Sequence, residues 1–213
     1  MAAFSFAVLI SGNGSNLQAM IDAIEKENIS GKICCVLSNK ANVYGLERAD
    51  RAKIPTEVIN NKDFETREDF DTEMAKVLSA YKPDLIVLAG FMRILSPKFI
   101  NAFTGKILNI HPSLLPKYPG LNTHERVLES SDKIHGITVH FVDESLDGGP
   151  ICAQSSIQIN TSSVKELEEE IHKLEHKLYP KVVGWFGEGL LKLSNGRVYF
   201  ENSELKIGGI DEK

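Results

Sequence analysis

Residues 4–24 read FSFAVLISGNGSNLQAMIDAI. Phe4–Ile10 is a near-continuous apolar run of strand length. Ser11-Gly12-Asn13-Gly14-Ser15-Asn16 turns the chain. Apolar residues then recur at Leu17, Met20, Ile21 and Ile24, the spacing of one helix face. Strand, glycine loop and helix in that order open a parallel α/β sheet. The alternation continues outward. Ile33–Leu37 reads as a strand, Val43–Ala52 as a short helix and Thr56–Ile59 as a short strand. Arg67–Ala80 carries Phe70, Met74, Val77 and Leu78 on one stripe, as a helix does. Leu85–Ala89 is wholly apolar, which suits a central parallel strand. Ser96-Pro97 pairs an N-cap with proline at the first helical position and opens a helix through Ala102. Ile107–His111 is the next strand.

Beyond it the pattern changes. Ile134–Val142 alternates, with Ile137, Val139 and Phe141 on one face and Thr138, His140 and Val142 on the other. Asp143–Gly149 turns and Ile151–Ile159 returns, which predicts an antiparallel pair. Ser163–Tyr179 is a helix along Val164, Leu167, Ile171, Leu174 and Leu178. Ser163 and Glu166 suit a capping box, and Pro180 is expected to kink or end the helix. Ser194-Asn195-Gly196 predicts a hairpin within Leu193–Tyr199. The tail Asp211–Lys213 is expected to be disordered. The fold class is therefore α/β: an open, mostly parallel twisted sheet with helices on both faces, a Rossmann-like N-terminal half and an antiparallel C-terminal extension.

The 213 residues suit one domain with one core. A net charge of −5 argues against non-specific nucleic-acid binding. No run of 18 apolar residues suggests a membrane span. The N-terminus lacks the basic region and cleavage site of a signal peptide and reads as the first strand. Cys34, Cys35 and Cys152 are odd in number, and two are adjacent; a reducing, cytoplasmic compartment is expected.

The glycine loop lies where helix amides and the helix dipole bind phosphate. Dinucleotide binding needs a third glycine and an acid closing strand two, but Leu17 and Ser38-Asn39-Lys40 stand there. No Gly-Lys-Ser/Thr follows, so the loop is not a P-loop. A tight turn needing small residues remains open. The favoured reading is a single phosphate monoester held by the N–H groups of Gly14, Ser15 and Asn16.

Asn109 and His111 stand two apart on a strand and share a face. Pro112 holds His111 extended, and Leu115–Pro116 is a candidate cis bond. The turn Asp143-Glu144-Ser145-Leu146-Asp147-Gly148-Gly149-Pro150 is either a solvated turn or a functional loop. If Asp147 folds back beside His111, it favours the imidazolium and makes a proton donor. His172-Lys173-Leu174-Glu175-His176 matches an inverted zinc-protease pattern. It lacks the later ligand helix, so a solvated helix face or a substrate contact through Glu175 is preferred, and no metal is expected.

Four segments together carry a resemblance: Ile10–Ala19, Leu88–Pro97, Asn109-Ile110-His111-Pro112-Ser113-Leu114-Leu115-Pro116 and Leu146–Pro150. They resemble the folate-dependent formyltransferases, in order from about residue 4 to residue 190. The SGNGSN loop and a length without room for added domains point to the branch acting in purine synthesis. The resemblance implies a formyltransferase fold over 1–213, with 1–106 the phosphate-binding half and 107–213 the catalytic and folate-binding half. It implies formyl transfer from 10-formyltetrahydrofolate, the co-substrate, to the amine of glycinamide ribonucleotide, without a metal, by a monomer or homodimer. Asn109, His111 and Asp147 would be the catalytic trio. Gly14, Ser15 and Asn16 would hold the phosphate and Glu175 the ribose hydroxyls. Arg67, Met92, Arg93, Ile94, Leu95, Asn109, Asp143, Glu144, Ser145, Leu146 and Asp147 would contact folate. Thr138 is a candidate to orient a water. A formyltetrahydrofolate hydrolase and a non-catalytic folate- or nucleotide-binding protein are the rival readings.

Overall fold

The computed structural model describes residues 3–212. The chain divides after Leu108 into two compact units. The first begins with β1 (Phe4–Ile10), α1 (Ser15–Glu25), β2 (Gly31–Ser38), α2 (Tyr44–Arg51) and β3 (Thr56–Val58). A 3₁₀ turn over Asn61–Asp63 leads into α3 (Arg67–Tyr81), β4 (Leu85–Leu88) and α4 (Pro97–Ala102). Its strands lie side by side in the order β4-β1-β2-β3, and every pairing is parallel. The strands inside this order are covered on both faces. Val8, Leu9, Val36, Leu37, Val87 and the rest of β4 are fully or nearly fully inside, so no polar face is left for water. The helices start on side-chain caps where the sequence supplies them. Thr66 Oγ1 accepts from Asp69 N at 3.1 Å, and Ser96 Oγ from Phe99 N at 3.4 Å. Each such cap contributes about 1 kcal/mol.

The division falls inside β5 (Ile107–His111). The second unit continues with α5 (Thr123–Leu128), β6 (Ile134–Phe141), β7 (Ile151–Gln158), α6 (Val164–Gly187), β8 (Leu191–Ser194), β9 (Arg197–Phe200), β10 (Ser203–Glu204) and β11 (Ile210–Asp211). Its strand order is β5-β6-β7-β11, with β6 and β7 antiparallel as expected. β8, β9 and β10 form a separate antiparallel sheet. Asn195 (φ 51°) and Gly196 (φ 74°) make the β8–β9 turn, both left-handed as the type I′ hairpin turn requires.

Three expectations are corrected. α6 does not stop at Pro180 but runs 24 residues with Pro180 inside. The proline removes one amide bond, yet Tyr179, Pro180, Val182 and Val183 are buried, and their packing carries the helix past it. The tail is ordered: Ile210–Asp211 pairs parallel with β7, and Glu212 N donates to Gln154 O at 2.9 Å. Lys213, the last residue of that expectation, lies outside the described residues, as do Met1 and Ala2 of the proposed first strand's lead-in. The capping box at Ser163 is half formed. Ser163 Oγ accepts from Glu166 N, but Glu166 takes the Thr161 hydroxyl at 2.5 Å while Ser163 N donates to Thr161 Oγ1.

Candidate active site

In the second unit, four polar side chains converge below the end of β5. Asn109 and His111 leave the same face of β5, as their spacing requires. His140, near the end of β6, is 2% exposed. Asp147 arrives from the β6–β7 loop in a left-handed conformation, φ 52°. His111 Nδ1 stands 3.4 Å from Asp147 Oδ2. Asp147 Oδ1 stands 4.0 Å from His140 Nε2. His140 Nε2 lies 3.2 Å from Asn109 Nδ2. The expected approach of Asp147 to His111 is therefore present, and a second histidine joins the two.

The loop geometry that delivers Asp147 is built in. Gly120 N donates to Asp147 Oδ2 at 2.8 Å. Gly149 passes so close to β6 that an added Cβ would lie 1.9 Å from Phe141 O. Asp143 Oδ1 accepts from the backbone and hydroxyl of Ser145, an Asx turn that shapes the loop start. Leu146 is left 58% exposed beside these polar groups, and Glu144 is exposed.

The proline loop after β5 is fastened from beneath. His111 Nε2 donates to Tyr118 O at 2.8 Å, and Ser113 Oγ donates to Lys117 O at 2.6 Å. Leu115–Pro116 is cis, as expected. Thr138 Oγ1 donates to Ser113 O and accepts from Leu115 N and Gln154 Nε2. A hydroxyl has one donor and two acceptor positions, so all three are filled. Thr138 therefore ties the loop to β6 and has no position left to orient a water.

The histidines of this unit sit in different surroundings. Burial pushes His140 below the ordinary histidine range. His124 Nδ1 and His135 Nε2 are 3.1 Å apart. Burial, reinforced by the neighbouring His124 and His111, lowers His135 to about 4; burial also lowers His124. On α6, Glu175 is 6% exposed, which removes the solvated-face reading for that carboxylate. His172 is half-exposed and faces Glu168 at 3.9 Å.

The first unit holds the other expected residues. Gly14 is the N-cap of α1 with φ 73°, and no side chain caps the helix there. The first turn, with Ser15 and Asn16, thus presents amides without intrahelical acceptors. An added Cβ on Gly14 would meet Gly45 Cα at 2.8 Å. Arg48 on α2 grips the loop: Nε donates to Asn13 O, Nη2 to Asn13 Oδ1 and Nη1 to Gln18 Oε1, each at 3.0 Å. Ser11 Oγ accepts from Met92 N at 2.9 Å and donates to Asn39 Oδ1 at 2.6 Å. Met92 and Ile94 are exposed, Leu95 is buried, and Arg93 buries its Nε. Arg67 opens α3 and pairs with Glu68 at 3.1 Å.

Sequence reasoning singled out neither His140 nor Arg48. His140 carried a signal: it stands two residues from Thr138 on an alternating strand, on the face opposite Ile137 and Val139. Arg48 carries none, because its partners Asn13 and Gln18 lie 35 and 30 residues away.

A profile of the formyl transferase family matches residues 4–183. The chain is 46% identical over 206 residues to the phosphoribosylglycinamide formyltransferase of Escherichia coli K12, covering 96% of this chain and 97% of the relative. It is 49% identical to the enzyme of that name from Haemophilus influenzae over 95% of this chain and 96% of the relative. The human trifunctional purine biosynthetic protein adenosine-3 is 46% identical over 93% of this chain, which corresponds to 20% of that longer protein. The solved phosphoribosylglycinamide formyltransferase of Coxiella burnetii superposes with a TM-score of 0.95 at 44% identity, over 99% of both chains.

Proposed function

The chain belongs to the formyl transferase family, and from that premise we propose that it transfers the formyl group of 10-formyltetrahydrofolate to the primary amine of glycinamide ribonucleotide in purine biosynthesis. The observation that carries the reading is the convergence of Asn109, His111 and Asp147, with Asp147 Oδ2 3.4 Å from His111 Nδ1. Full-length relatives that bear the formyltransferase name support it.

The chemistry follows from the groups present. The amine nitrogen bonds to the formyl carbon, and the carbonyl oxygen takes negative charge in a tetrahedral intermediate. Donors already aimed at that oxygen stabilise it, and one such donor is typically worth about 10²–10³ in rate. The Asn109 amide and the His111 ring are the donors. His111 Nε2 is engaged by Tyr118 O, so its contact with the oxyanion is through the Nδ1 edge, which Asp147 flanks at 3.4 Å. Asp147 accepts a proton from the attacking ammonium as it forms. The bond from the formyl carbon to the folate nitrogen then breaks, and that nitrogen takes a proton, so none is gained or lost overall. General acid–base assistance of this kind contributes about 10²–10⁴-fold.

The phosphate of the ribonucleotide is assigned to Gly14, Ser15 and Asn16 at the uncapped start of α1. Glu175, a buried carboxylate, is assigned to the ribose hydroxyls. Unpaired cysteines 34, 35 and 152 suit the cytoplasm. The test is spectroscopic: follow tetrahydrofolate product from 10-formyltetrahydrofolate with glycinamide ribonucleotide present and omitted. Turnover that requires the amine is expected. Equal turnover without it would mean hydrolysis, and none with it would mean binding alone.

A further inference from the structure

His140 is hydrogen-bonded on both ring nitrogens, and the two bonds have opposite demands. Nδ1 is 2.9 Å from Phe141 O. A carbonyl only accepts, so Nδ1 carries a proton. Nε2 faces the Asn109 amide nitrogen at 3.2 Å. An amide nitrogen only donates, so Nε2 must be the bare, accepting nitrogen. The ring is thus neutral with its proton on Nδ1, which agrees with its burial at 2% exposure. A buried imidazole in this tautomer dictates the orientation of its neighbour. Were the ring doubly protonated, N–H would face N–H, and the Asn109 amide would have to turn its oxygen to that side. Asp147 Oδ1, 4.0 Å from the same Nε2, would then draw the charged ring away from Asn109. His111 and Asp143 are the other ionisable groups whose charges bear on this ring.

We propose that His140 is a positioning residue: as an Nδ1–H tautomer it locks the Asn109 amide with its nitrogen inward, so that the second amide N–H stays aimed at the formyl oxygen. The role rests on the formyl-transfer reading for its consequence, though the tautomer itself does not. A freely rotating Asn109 would present its oxygen to the oxyanion part of the time and repel it. The cost therefore falls on the transition state rather than on substrate binding.

The experiment compares wild-type protein with His140→Ala and His140→Gln, and adds ¹⁵N spectroscopy of the wild-type histidines. A glutamine amide can accept from Asn109 Nδ2 through its oxygen, as Nε2 does. His140→Ala is expected to lower kcat by about 10-fold or more, short of the 10²–10³ typical of deleting an oxyanion donor outright. KM for both substrates should change less than about threefold if the loss is confined to the transition state. His140→Gln should recover most of kcat, and the pH profile of the reaction should keep its limbs in both variants. The wild-type spectrum should show a neutral Nδ1–H ring from pH 6 to 8. Four results would overturn the proposal: an Nε2–H or charged ring, wild-type kcat in His140→Ala, no recovery in His140→Gln, or a limb lost from the pH profile. If His140→Ala does not fold, the wild-type tautomer and the glutamine variant decide alone. A wild-type protein that transfers no formyl group sinks the functional reading instead, and the tautomer measurement still stands or falls separately.

Discussion

Acid should weaken this fold through His135 before it protonates the bulk of the carboxylates. The ring is 1% exposed and lies 3.1 Å from His124. Burial holds it at about 4, against 6.5 for an unburied histidine. A lowered histidine value means that the unfolded chain binds the extra proton first. The penalty is absent above pH 6.5, grows as pH falls between 6.5 and 4, and is complete below 4. The full shift corresponds to roughly 3 kcal/mol, and about 2 kcal/mol of it is reached by pH 5. His124, also lowered by burial, adds in the same direction. That is a large fraction of a typical domain's stability of about 5–15 kcal/mol. Urea unfolding followed by circular dichroism at pH 8, 6.5 and 5 measures it, with His135→Gln as the control. Glutamine keeps an amide for His124 but does not titrate. The wild type should lose about 2 kcal/mol more than the variant between pH 8 and pH 5. Parallel losses in the two proteins would refute the reasoning.

Two further perturbations test the parts that present the site. Arg48→Ala removes two hydrogen bonds to the glycine loop and a third to Gln18 on α1. It should raise KM for the ribonucleotide about 5- to 30-fold, as for 1–2 kcal/mol of lost support, with KM for the folate unchanged in steady-state assays. Gly149→Ala drives a Cβ to within 1.9 Å of Phe141 O. Backbone against backbone cannot yield cheaply, so the Asp147 loop must shift; kcat should fall at least about 10-fold, on the scale of misplaced catalytic geometry, and the melting temperature should drop in calorimetry.

The elements most legible in the sequence were those whose signal is local. β1, β5 and the β6–β7 pair announce themselves by apolar runs or alternation, and α4 by its Ser96-Pro97 start. α5 leaves no sequence signal because its six residues are too few for a periodic stripe, and only Thr123 and Val127 are buried. Pro180 misled because helix propensity is local while the burial of Tyr179, Val182 and Val183 is tertiary. The same division holds at the site. The Asn109–His111 pair is visible from its spacing. Asp147 was visible as an acidic turn, but its approach to His111 depends on Gly120 and Gly149, which lie 27 and 2 residues away from it. The strand face of Thr138 is legible from the alternation, but its task is not, since its three hydrogen bonds are all to long-range partners.

The most direct test of the central claim is a single-turnover reaction with formyl-labelled 10-formyltetrahydrofolate and glycinamide ribonucleotide, comparing the wild type with Asp147→Asn. The account predicts label on the ribonucleotide amine with the wild type, and a rate lowered by about 10²–10⁴-fold in the variant with both substrates still bound. Label transferred at the wild-type rate by Asp147→Asn would contradict it.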